Sequence, residues 1–314
     1  LQGIEEVLRS GFLNEGAQVK ALEKEVASAL NADNLLLVNS CTSALSLAYY
    51  ISGVKSGREV ISTPMTCIAS NTPIYTMGGK IVWVDVDKYS GNIDPAQIEN
   101  KITRDTVAVL SVSWGGSPPD LEAIDLLTKK HGITHIHDAA HAFGATLKGR
   151  PISDFADFTC YSFQAIKHFT CGDGGALVCR EQGKFQLAKK LKWFGYDRDD
   201  NKDENGEWKG QRWSADVLPN EVGFKFNMNN VAAAIGLSQI PLIKGILAKH
   251  RANAQVYKDL FSKSEYIRPA EQTSDCLSSF WVYTILIDEP HIDRDLLLDG
   301  LNSAGIGAGL VHVA

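Results

Sequence analysis

Seven short runs rich in β-branched and aliphatic residues recur in the first part of the 314-residue chain. Runs of this length and composition are typical of buried strands. Strands that alternate with helical segments form a mainly parallel sheet with helices on both faces. The pattern predicts an α/β fold with a mainly parallel, seven-stranded sheet. The predicted strands are LLLV (35–38), EVIST (59–63), KIVWVDV (80–86), TVAVLSV (106–112), ITHIH (133–137), FTCYSF (158–163) and GALVC (175–179).

Helix signals separate most of the early strands. DLEAIDLLTKKHG (120–132) begins with Asp120 as a candidate N-cap and ends at Gly132, and TSALSLAYYI (42–51) and CIASNTPIYTMG (67–78) also have helical spacing. Ligands of parallel sheets bind beyond the carboxyl ends of the strands. We therefore expect the functional residues in the loops that follow the strands.

The C-terminal part of the chain has a different pattern. Residues 229–261 are predicted to form one or two long helices with a break at Pro241, followed by a strand over 280–287 and a helix over 293–305. We predict a large domain over 1–240 and a smaller, incomplete α+β domain over 241–314. The charged stretch 196–221 is predicted to be a loop, either solvated or packed through Trp208 and Trp213 against a second subunit.

Charge and cysteine usage exclude several classes of partner. A net charge of −6 and a pI near 5.8 argue against nucleic acid or an anionic membrane, since both favour a basic patch. We see no apolar run of about 18 residues and no signal-peptide pattern, so no membrane span is expected. The six cysteines form no CxxC pair, which favours a reducing cytoplasm.

A cluster of polar residues follows the fifth predicted strand, in HIHDAAHAFG (135–144). Asp138 comes directly after the strand and is either a helix cap or a carboxylate in the ligand crevice. His135, His137 and His141 could instead combine with Asp138 as a metal site, because alternate residues of a strand share a face. The sequence leaves both hypotheses open at this point.

Lys167 lies in YSFQAIKHFTCGDGG (161–175), before a turn with three glycines, Gly172, Gly174 and Gly175. A lysine amine attacks a carbonyl only when neutral, and burial lowers its pKa towards that state. Were the carbonyl that of pyridoxal phosphate, Asp138 could pair with the ring nitrogen.

The phosphate of that cofactor would need a helix start with free backbone donors. NSCTSAL (39–45) follows the first strand and either caps a helix or binds a phosphate, and Ser162 could add a hydroxyl.

In this order, these motifs resemble the DegT/StrS-type nucleotide-sugar aminotransferases, which are pyridoxal-phosphate enzymes of the aspartate-aminotransferase group. The resemblance spans nearly the whole chain and rests on SGFLNEGAQVKALEKEVA (10–27), NSCTSAL (39–45), PMTCIASNTPI (64–74), VDVDKYSGNIDPAQIE (84–99), HDAAHAFGA (137–145), YSFQAIKHFTCGDGGAL (161–177) and GFKFNMNNVAAAIGLSQ (223–239).

The resemblance implies a role for each matching residue. Lys167 is expected to form the internal aldimine and to move the substrate proton, Asp138 to pair with the ring nitrogen, and His141 to lie near the phenolic oxygen. Cys41, Thr42, Ser43 and Ser162 are expected around the phosphate. Lys167 stands where related sugar dehydratases carry histidine, which points to transamination.

Two positions depart from the family pattern. Cys67 stands where many relatives stack an aromatic ring on the cofactor. Lys225, in GFKFN, stands in a segment that in the family reaches the neighbouring subunit's cofactor phosphate; it is either that charged donor or an exposed lysine.

The resemblance implies a cytoplasmic homodimer, with active sites at the interface, that moves an amino group from glutamate to a keto group of a nucleotide-linked deoxysugar. Pyridoxamine 5'-phosphate is the expected intermediate form of the cofactor. Trp114, His312 and the 196–221 loop are candidate sugar contacts. Two other hypotheses remain open: a non-catalytic cofactor-binding regulator, and a metal-dependent hydrolase built on the histidine cluster.

Overall fold

All seven strands predicted from the sequence are present, and they form one sheet. The computed structural model describes residues 2–197, 218, 221–287 and 289–310. Its strands are β1 (Leu35–Val38), β2 (Glu59–Ser62), β3 (Lys80–Trp83), β4 (Thr106–Val112), β5 (Thr134–Asp138), β6 (Thr146–Leu147), β7 (Arg150–Pro151), β8 (Phe158–Ser162), β9 (Gly175–Cys179), β10 (Ile267–Pro269), β11 (Cys276–Leu277) and β12 (Ile285–Ile287).

Helices lie between these strands and on both faces of the sheet. They are α1 (Gln2–Ser10), α2 (Ala17–Leu30), α3 (Cys41–Ile51), α4 (Ile68–Thr76), α5 (Pro95–Ile98), α6 (Leu121–His131), α7 (Gln182–Leu191), α8 (Asn230–Gln239), α9 (Ile243–Phe261) and α10 (Arg294–Ser303). The predicted caps of α6 are confirmed: the Asp120 side chain accepts from the Ala123 amide, and Gly132 ends the helix in the left-handed conformation.

The strand order in the sheet is β1-β9-β8-β5-β4-β2-β3. Strands β3, β2, β4, β5 and β8 pair in parallel, and β9 runs antiparallel to both β8 and β1. The expected mainly parallel α/β fold is thus confirmed. The parallel strands end at one edge, where loops after β5 and β8 come close to the start of α3.

The sheet is buried on both faces, as a continuous apolar pattern predicts. In β1, Leu35 and Leu37 belong to the core that α2 and α8 cover, whereas Leu36 and Val38 belong to the core under α3. Successive side chains of a strand point to opposite faces, so this alternation divides the interior into two apolar layers.

The predicted helix break at Pro241 is confirmed, since a 3-10 turn over 240–242 separates α8 from α9. Asn230–Phe261, which spans both helices, is the one stretch among the described residues that is long and apolar enough to cross a membrane. In the fold, α8 packs against α2, and a Cβ on Gly236 would lie 2.7 Å from the Leu22 side chain. These apolar residues therefore contribute to the core of the domain.

The predicted strand over 280–287 is wrong for its first half, since only β12 pairs, with β10. Phe280 has a left-handed φ of 47°, which ends any extended run, and the Ser279 and Val282 amides on either side of it donate to the Gly116 and Gly115 carbonyls. Strand β11 pairs with β6, so the C-terminal part returns to the large sheet's loops. A domain boundary at residue 240 stays a prediction.

Candidate active site

Asp138 ends β5 and is buried at the carboxyl edge of the sheet. Its Oδ2 accepts from the Ser70 hydroxyl at 2.7 Å, and its Oδ1 accepts from the Ala140 amide at 2.9 Å and from the Cys41 thiol at 3.9 Å. Burial raises the pKa of Asp138, whereas the bonds from Ser70 and Ala140 and the charge of Lys167 act to lower it. The carboxylate is held firmly, and none of these partners is a cation in direct contact.

Lys167 lies in the turn between β8 and β9 and is partly withdrawn from solvent. Burial lowers the pKa of Lys167, and the negative charge of Asp138 is the main effect that opposes the shift. Strands β5 and β8 are adjacent and parallel, so the segments that follow them lie close together. The fold thus brings Asp138 and Lys167 near enough to interact electrostatically.

Helix α3 presents its N-terminus to the same edge. Ser40 is its N-cap and accepts from the Ser43 amide, while the Ser43 hydroxyl donates to Asn39 at 2.6 Å. The first intrahelical bond runs from the Ala44 amide to the Ser40 carbonyl, so the amides of Cys41 and Thr42 have no intrahelical acceptor and are available to an anion. Within this motif, Ser43 has its own structural bonds, and the Cys41 and Thr42 amides are the groups best suited to hold a phosphate.

The glycines of the turn have geometric roles. Gly172 has a φ of 81°, and a Cβ on Gly175 would lie 2.6 Å from the Cys41 amide nitrogen. A Cβ on Gly174 would lie 2.7 Å from Met228. The absence of side chains at these positions lets β9 approach the start of α3. Ser162 ends β8, and its Oγ accepts weakly from the Gln164 amide at 3.4 Å.

Cys67 and His141 border the space beside Lys167. Cys67 is exposed at the start of α4, and its charge interaction with Lys167 places it on the Lys167 side of the site. His141 is buried, and its ring stacks on Trp281 with a centroid distance of 3.9 Å and an interplanar angle of 15°. The Lys167 Nζ lies 4.0 Å from the centroid of the same indole.

Ser70 and Trp281 are site residues that the sequence hypotheses missed. Ser70 lies within PMTCIASNTPI, but only the packing of α4 on the sheet edge shows that its hydroxyl meets Asp138. Trp281 lies in the segment predicted as a strand. Nothing in its sequence neighbourhood indicates a contact with residues more than a hundred positions earlier.

Lys225 lies beside β1, because Val38 bridges to Asn227 and the Asn39 amide donates to the Phe226 carbonyl. Its Nζ donates to Asn227 at 2.5 Å and lies 4.2 Å from the Trp193 ring centroid. These are contacts within its own subunit, so the predicted contact with a neighbour's phosphate remains a prediction.

The histidine cluster does not have the form of a metal site. His135 Nδ1 donates to the Phe155 carbonyl, so its Nε2 accepts from Ser111; His137 then donates to Ser111 and accepts from Ser113. Burial lowers the pKa of His135 to about 4 and holds the pKa of His137 well below its usual value. Over the described ranges, no group of three or more His, Cys, Asp or Glu could hold a metal. The hydrolase hypothesis is therefore not favoured.

The predicted sugar contacts are only partly described. Trp114 lines a cavity of about 530 Å³ between α9 and residues 278–284, and Lys167 and Asp138 are not among its lining residues. His312 and most of the 196–221 loop, with Trp208 and Trp213, lie outside the described residues.

The residues present fit pyridoxal phosphate. Among the described residues, no cation contacts the buried carboxylate of Asp138 directly, the partly buried Lys167 interacts with it electrostatically, and a helix N-terminus lies close behind Gly175. These groups match the protonated ring nitrogen, the aldehyde and the phosphate of the cofactor. Asp138, Lys167 and the Cys41 and Thr42 amides are the groups that would hold it.

Comparison with known proteins identifies the same family that the sequence motifs resemble. The sequence profile of the DegT/DnrJ/EryC1/StrS aminotransferase family matches residues 1–314. The chain is 32% identical over 291 residues to the spore coat polysaccharide biosynthesis protein SpsC of Bacillus subtilis (strain 168), which covers 92% of this chain and 73% of SpsC.

Solved structures are similar over nearly the whole chain. The sugar aminotransferase CalS13 of Micromonospora echinospora superposes with a TM-score of 0.88 at 30% identity, covering 99% of this chain and 82% of CalS13. Spr1654 of Streptococcus pneumoniae is solved in a PLP-form and a PMP-form; both have a TM-score of 0.86, at 26% and 27% identity, and cover 99% of this chain and 81% of Spr1654.

Proposed function

The chain belongs to the DegT/DnrJ/EryC1/StrS aminotransferase family, and from this premise we propose that it transfers an amino group from glutamate to a keto group of a nucleotide-linked deoxysugar. It is a pyridoxal-phosphate-dependent sugar aminotransferase. The observation that carries the proposal is the meeting of Asp138 and Lys167 beside the N-terminus of α3. When bound, the cofactor supplies a carbonyl that takes up the amino group and a ring that accepts electrons.

Asp138 keeps the ring nitrogen of the cofactor protonated in this proposal. A carboxylate in this buried place needs hydrogen-bond donors, and Ser70 and Ala140 supply them at 2.7 and 2.9 Å. The lack of a cation in contact with it, among the described residues, leaves its charge available to the ring. Burial raises the pKa of Asp138, and a positive group that binds next to this carboxylate would lower the pKa again.

Lys167 would hold the cofactor through its carbonyl and would carry the proton that moves during transamination. Burial lowers the pKa of its amine, which increases the neutral fraction that can attack a carbonyl. Lys167 lies in the 163–174 loop between β8 and β9, and this loop is closed by hydrogen bonds from the Phe163 amide to the Gly174 carbonyl at 2.8 Å and from the Cys171 amide to the Phe163 carbonyl at 2.9 Å. This rigidity keeps the amine within reach of one position.

The phosphate binds at the start of α3. The Cys41 and Thr42 amides, the Thr42 hydroxyl and the Ser162 hydroxyl are the donors in this proposal, with Ser43 supporting the loop through Asn39. Cys67 would pack against the cofactor ring in place of an aromatic side chain. His141, whose ring stacks on Trp281, would lie near the phenolic oxygen.

The active enzyme is a homodimer with its sites at the interface, and Lys225 contacts the partner's phosphate. Large apolar side chains beside the site support a second copy: Ile68, next to Cys67, is 80% exposed, and Ile166, next to Lys167, is 65% exposed. The enzyme works in the cytoplasm in this proposal, which agrees with its six unpaired cysteines.

The test begins with the absorption spectrum of the purified protein, before and after addition of glutamate. We expect a visible band that glutamate converts into the near-ultraviolet band of pyridoxamine phosphate. Nucleotide-linked keto-deoxysugars are then added one at a time, and the correct acceptor restores the visible band and gains an amino group detectable by mass spectrometry. A visible band that no amino acid changes would contradict transamination, and a response to another donor only would contradict glutamate.

Lys167→Ala should abolish the band and turnover while leaving the fold intact, as judged by circular dichroism. Lys101→Ala, at an exposed lysine of the 99–101 turn, is the matched control and should behave as wild type. Normal turnover in Lys167→Ala would sink the assigned role of this lysine.

A further inference from the structure

Trp281 lies between two of the site residues, although it comes from the C-terminal part of the chain. One face of its ring is stacked on His141 at 3.9 Å, and the Lys167 Nζ lies 4.0 Å from the ring centroid. The indole N–H donates to the Ile166 carbonyl at 2.9 Å, which fixes the rotation of the ring. Trp281 therefore contacts both the amine and the imidazole of the site.

The segment that carries Trp281, residues 278–281, is bound to the first part of the chain. The Ser278 hydroxyl donates to the Gly116 carbonyl at 2.8 Å, and the Ser279 amide donates to the same carbonyl at 3.0 Å. The Ser279 hydroxyl donates to the His141 carbonyl at 2.9 Å. The residue that stacks on Trp281 is thus also tied to the segment through its backbone.

Two histidines hold the same segment from the other side. His168 Nε2 donates to the Ser279 carbonyl at 3.0 Å, and His250 Nδ1 donates to the Phe280 carbonyl at 2.7 Å. Burial lowers the pKa of His168 to about 4, so it is neutral near pH 7. His168 follows Lys167 directly in sequence, and one turn therefore positions both the amine and the segment that covers it.

The backbone of the 278–281 segment is strained at Phe280, where φ is 47°. A bulky side chain in the left-handed region is uncommon and persists only where the surroundings enforce it. Gly116, with a φ of 102°, permits the close approach, because a Cβ on it would lie 2.8 Å from both the Phe280 and Trp281 amide nitrogens. The fold thus forces a disfavoured conformation directly before Trp281.

An indole is the aromatic face that attracts a cation most strongly, and an ammonium within about 6 Å of its centroid is stabilised. The Lys167 Nζ satisfies this distance. Lys167 in the proposed function is bonded to the cofactor in one half of the cycle and is a free, proton-carrying amine in the other half. A group that stabilises the free ammonium is needed only in that second half.

We propose that Trp281 is a positioning residue that holds the free Lys167 ammonium against its indole face and fixes the His141 ring beside it. The proposal rests on the proposed role of Lys167. In this proposal, the 278–281 segment places the aromatic face of Trp281 against Lys167. The other groups that act on the charge of Lys167 are Asp138, Cys41, Cys67 and the neighbouring His168.

The test measures the pKa of Lys167 in the full-length, cofactor-free protein and in the pyridoxamine-phosphate form. The rate of amine acetylation at Lys167 is followed by mass spectrometry as a function of pH. Fluorinated tryptophans with one, two and four fluorine atoms replace tryptophan throughout; they weaken the negative face of the ring with little change in size. We expect the Lys167 pKa to fall stepwise, by about one unit in total, as the cation–π attraction is lost.

Trp281→Leu is the control for the other five tryptophans, because fluorination of this variant should leave the Lys167 pKa unchanged. Trp83→Leu, at a 44% exposed tryptophan on β3, should keep the full stepwise fall. Equal Lys167 pKa values in all fluorinated and unfluorinated proteins would overturn the proposal.

The titration needs no turnover, so its failure is distinguishable from failure of the proposed transamination. In turnover, Trp281→Phe should lower kcat for the glutamate half-reaction by about threefold and change KM by less than twofold, because the amine is less well held while binding is intact. A change in KM alone would assign Trp281 to substrate binding and would also overturn the proposal.

Discussion

Two lysines close to the ends of the same sheet, Lys167 and Lys192, are both withdrawn from solvent, and their pKa values move in opposite directions. Burial lowers the pKa of Lys167, and the charge of Asp138 offsets this only in part. Burial also acts to lower the pKa of Lys192, but the charges of Glu15 and Glu23 outweigh it and the pKa is raised. Burial alone therefore does not determine the charge of a lysine in this protein.

The two lysines differ in whether a carboxylate contacts the amine directly. The Lys192 Nζ lies 2.7 Å from Glu15 Oε1 and 4.0 Å from Glu23 Oε1, and Glu23 also accepts from the Leu37 amide of β1. Burial raises the pKa of Glu23, and the charge of Lys192 opposes this shift. Lys167 instead faces an aromatic ring and a carboxylate that acts at longer range. One lysine holds α7, α2 and β1 together, and the other is available for chemistry.

The largest expected effect is on the Lys167 side. Asp138→Ala should slow the glutamate half-reaction by about 10³-fold, because a preorganised charge at the ring nitrogen is lost. Stopped-flow absorbance measures this rate. Asp138→Asn keeps the shape and can still accept from Ser70, so an equal loss in both variants assigns the effect to charge. An unchanged rate in either variant would contradict the proposed role of Asp138.

The next effect concerns the structural lysine. Lys192→Met should lower the free energy of unfolding by about 3 kcal/mol, since the Glu15 side chain, which is only 19% exposed, loses the cation that it contacts. Chemical denaturation measures the loss, and the double variant Lys192→Met/Glu15→Gln should recover part of it. Lys129→Met removes a lysine whose side chain is 59% exposed, while Asp125 keeps its ion pair with Arg180 at 2.8 Å, so this variant should cost less than about 1 kcal/mol. Equal losses at Lys192 and Lys129 would contradict the structural assignment.

A smaller effect is expected at Ser70, which supports Asp138. Ser70→Ala removes a 2.7 Å hydrogen bond to a charged group and should slow the glutamate half-reaction by about tenfold. Ser70→Thr keeps the hydroxyl and should restore most of the rate. Ser52→Ala, which removes a hydroxyl bonded to the Ala48 carbonyl at the end of α3, is the control and should leave the rate unchanged. A Ser70→Ala variant as fast as this control would show that Ala140 alone suffices to hold Asp138.

The smallest effect is a change in pH dependence at His168, beside Lys167. Its folded pKa of about 4 lies below the unfolded value near 6.5, so the stabilising contribution is present above pH 6.5 and is lost as pH falls towards 4. His168→Gln should reduce the slope of unfolding free energy against pH in that window by up to about 1.4 kcal/mol per pH unit. Denaturant titrations at several pH values measure the slope, and parallel profiles would show that His168 is not buried neutral.

Much of the fold could be predicted because local patterns and the global sheet agree. The predicted strands LLLV, TVAVLSV and GALVC match β1, β4 and β9 to the residue, since each is a buried apolar run with polar neighbours. The caps of α6 and the break at Pro241 follow from single residues whose backbone preferences are strong. The strand over 280–287 failed because the conformation of Phe280 is imposed by Gly116, His168 and His250, which lie far away in sequence.

The candidate site divides in the same way. Asp138 and Lys167 could be named from the sequence, because each follows a strand whose end must lie at the ligand edge of the sheet, and their motifs occur in family order. Ser70, Trp281 and the contrast between Lys167 and Lys192 could not. A serine, a tryptophan and a buried lysine carry no local signal of the group they will meet.

The sequence by itself determined the α/β class, the strands of the sheet, and the lysine and carboxylate on which the proposed chemistry depends. Those features follow from hydrophobic periodicity and from residues adjacent to strand ends, which are local properties of the chain. The tertiary structure alone decided how each group is charged and held: Ser70 on Asp138, Trp281 on Lys167 and His141, and Glu15 on Lys192. These contacts join distant segments, and electrostatic and stacking energies depend on the distance between groups in space, not along the chain.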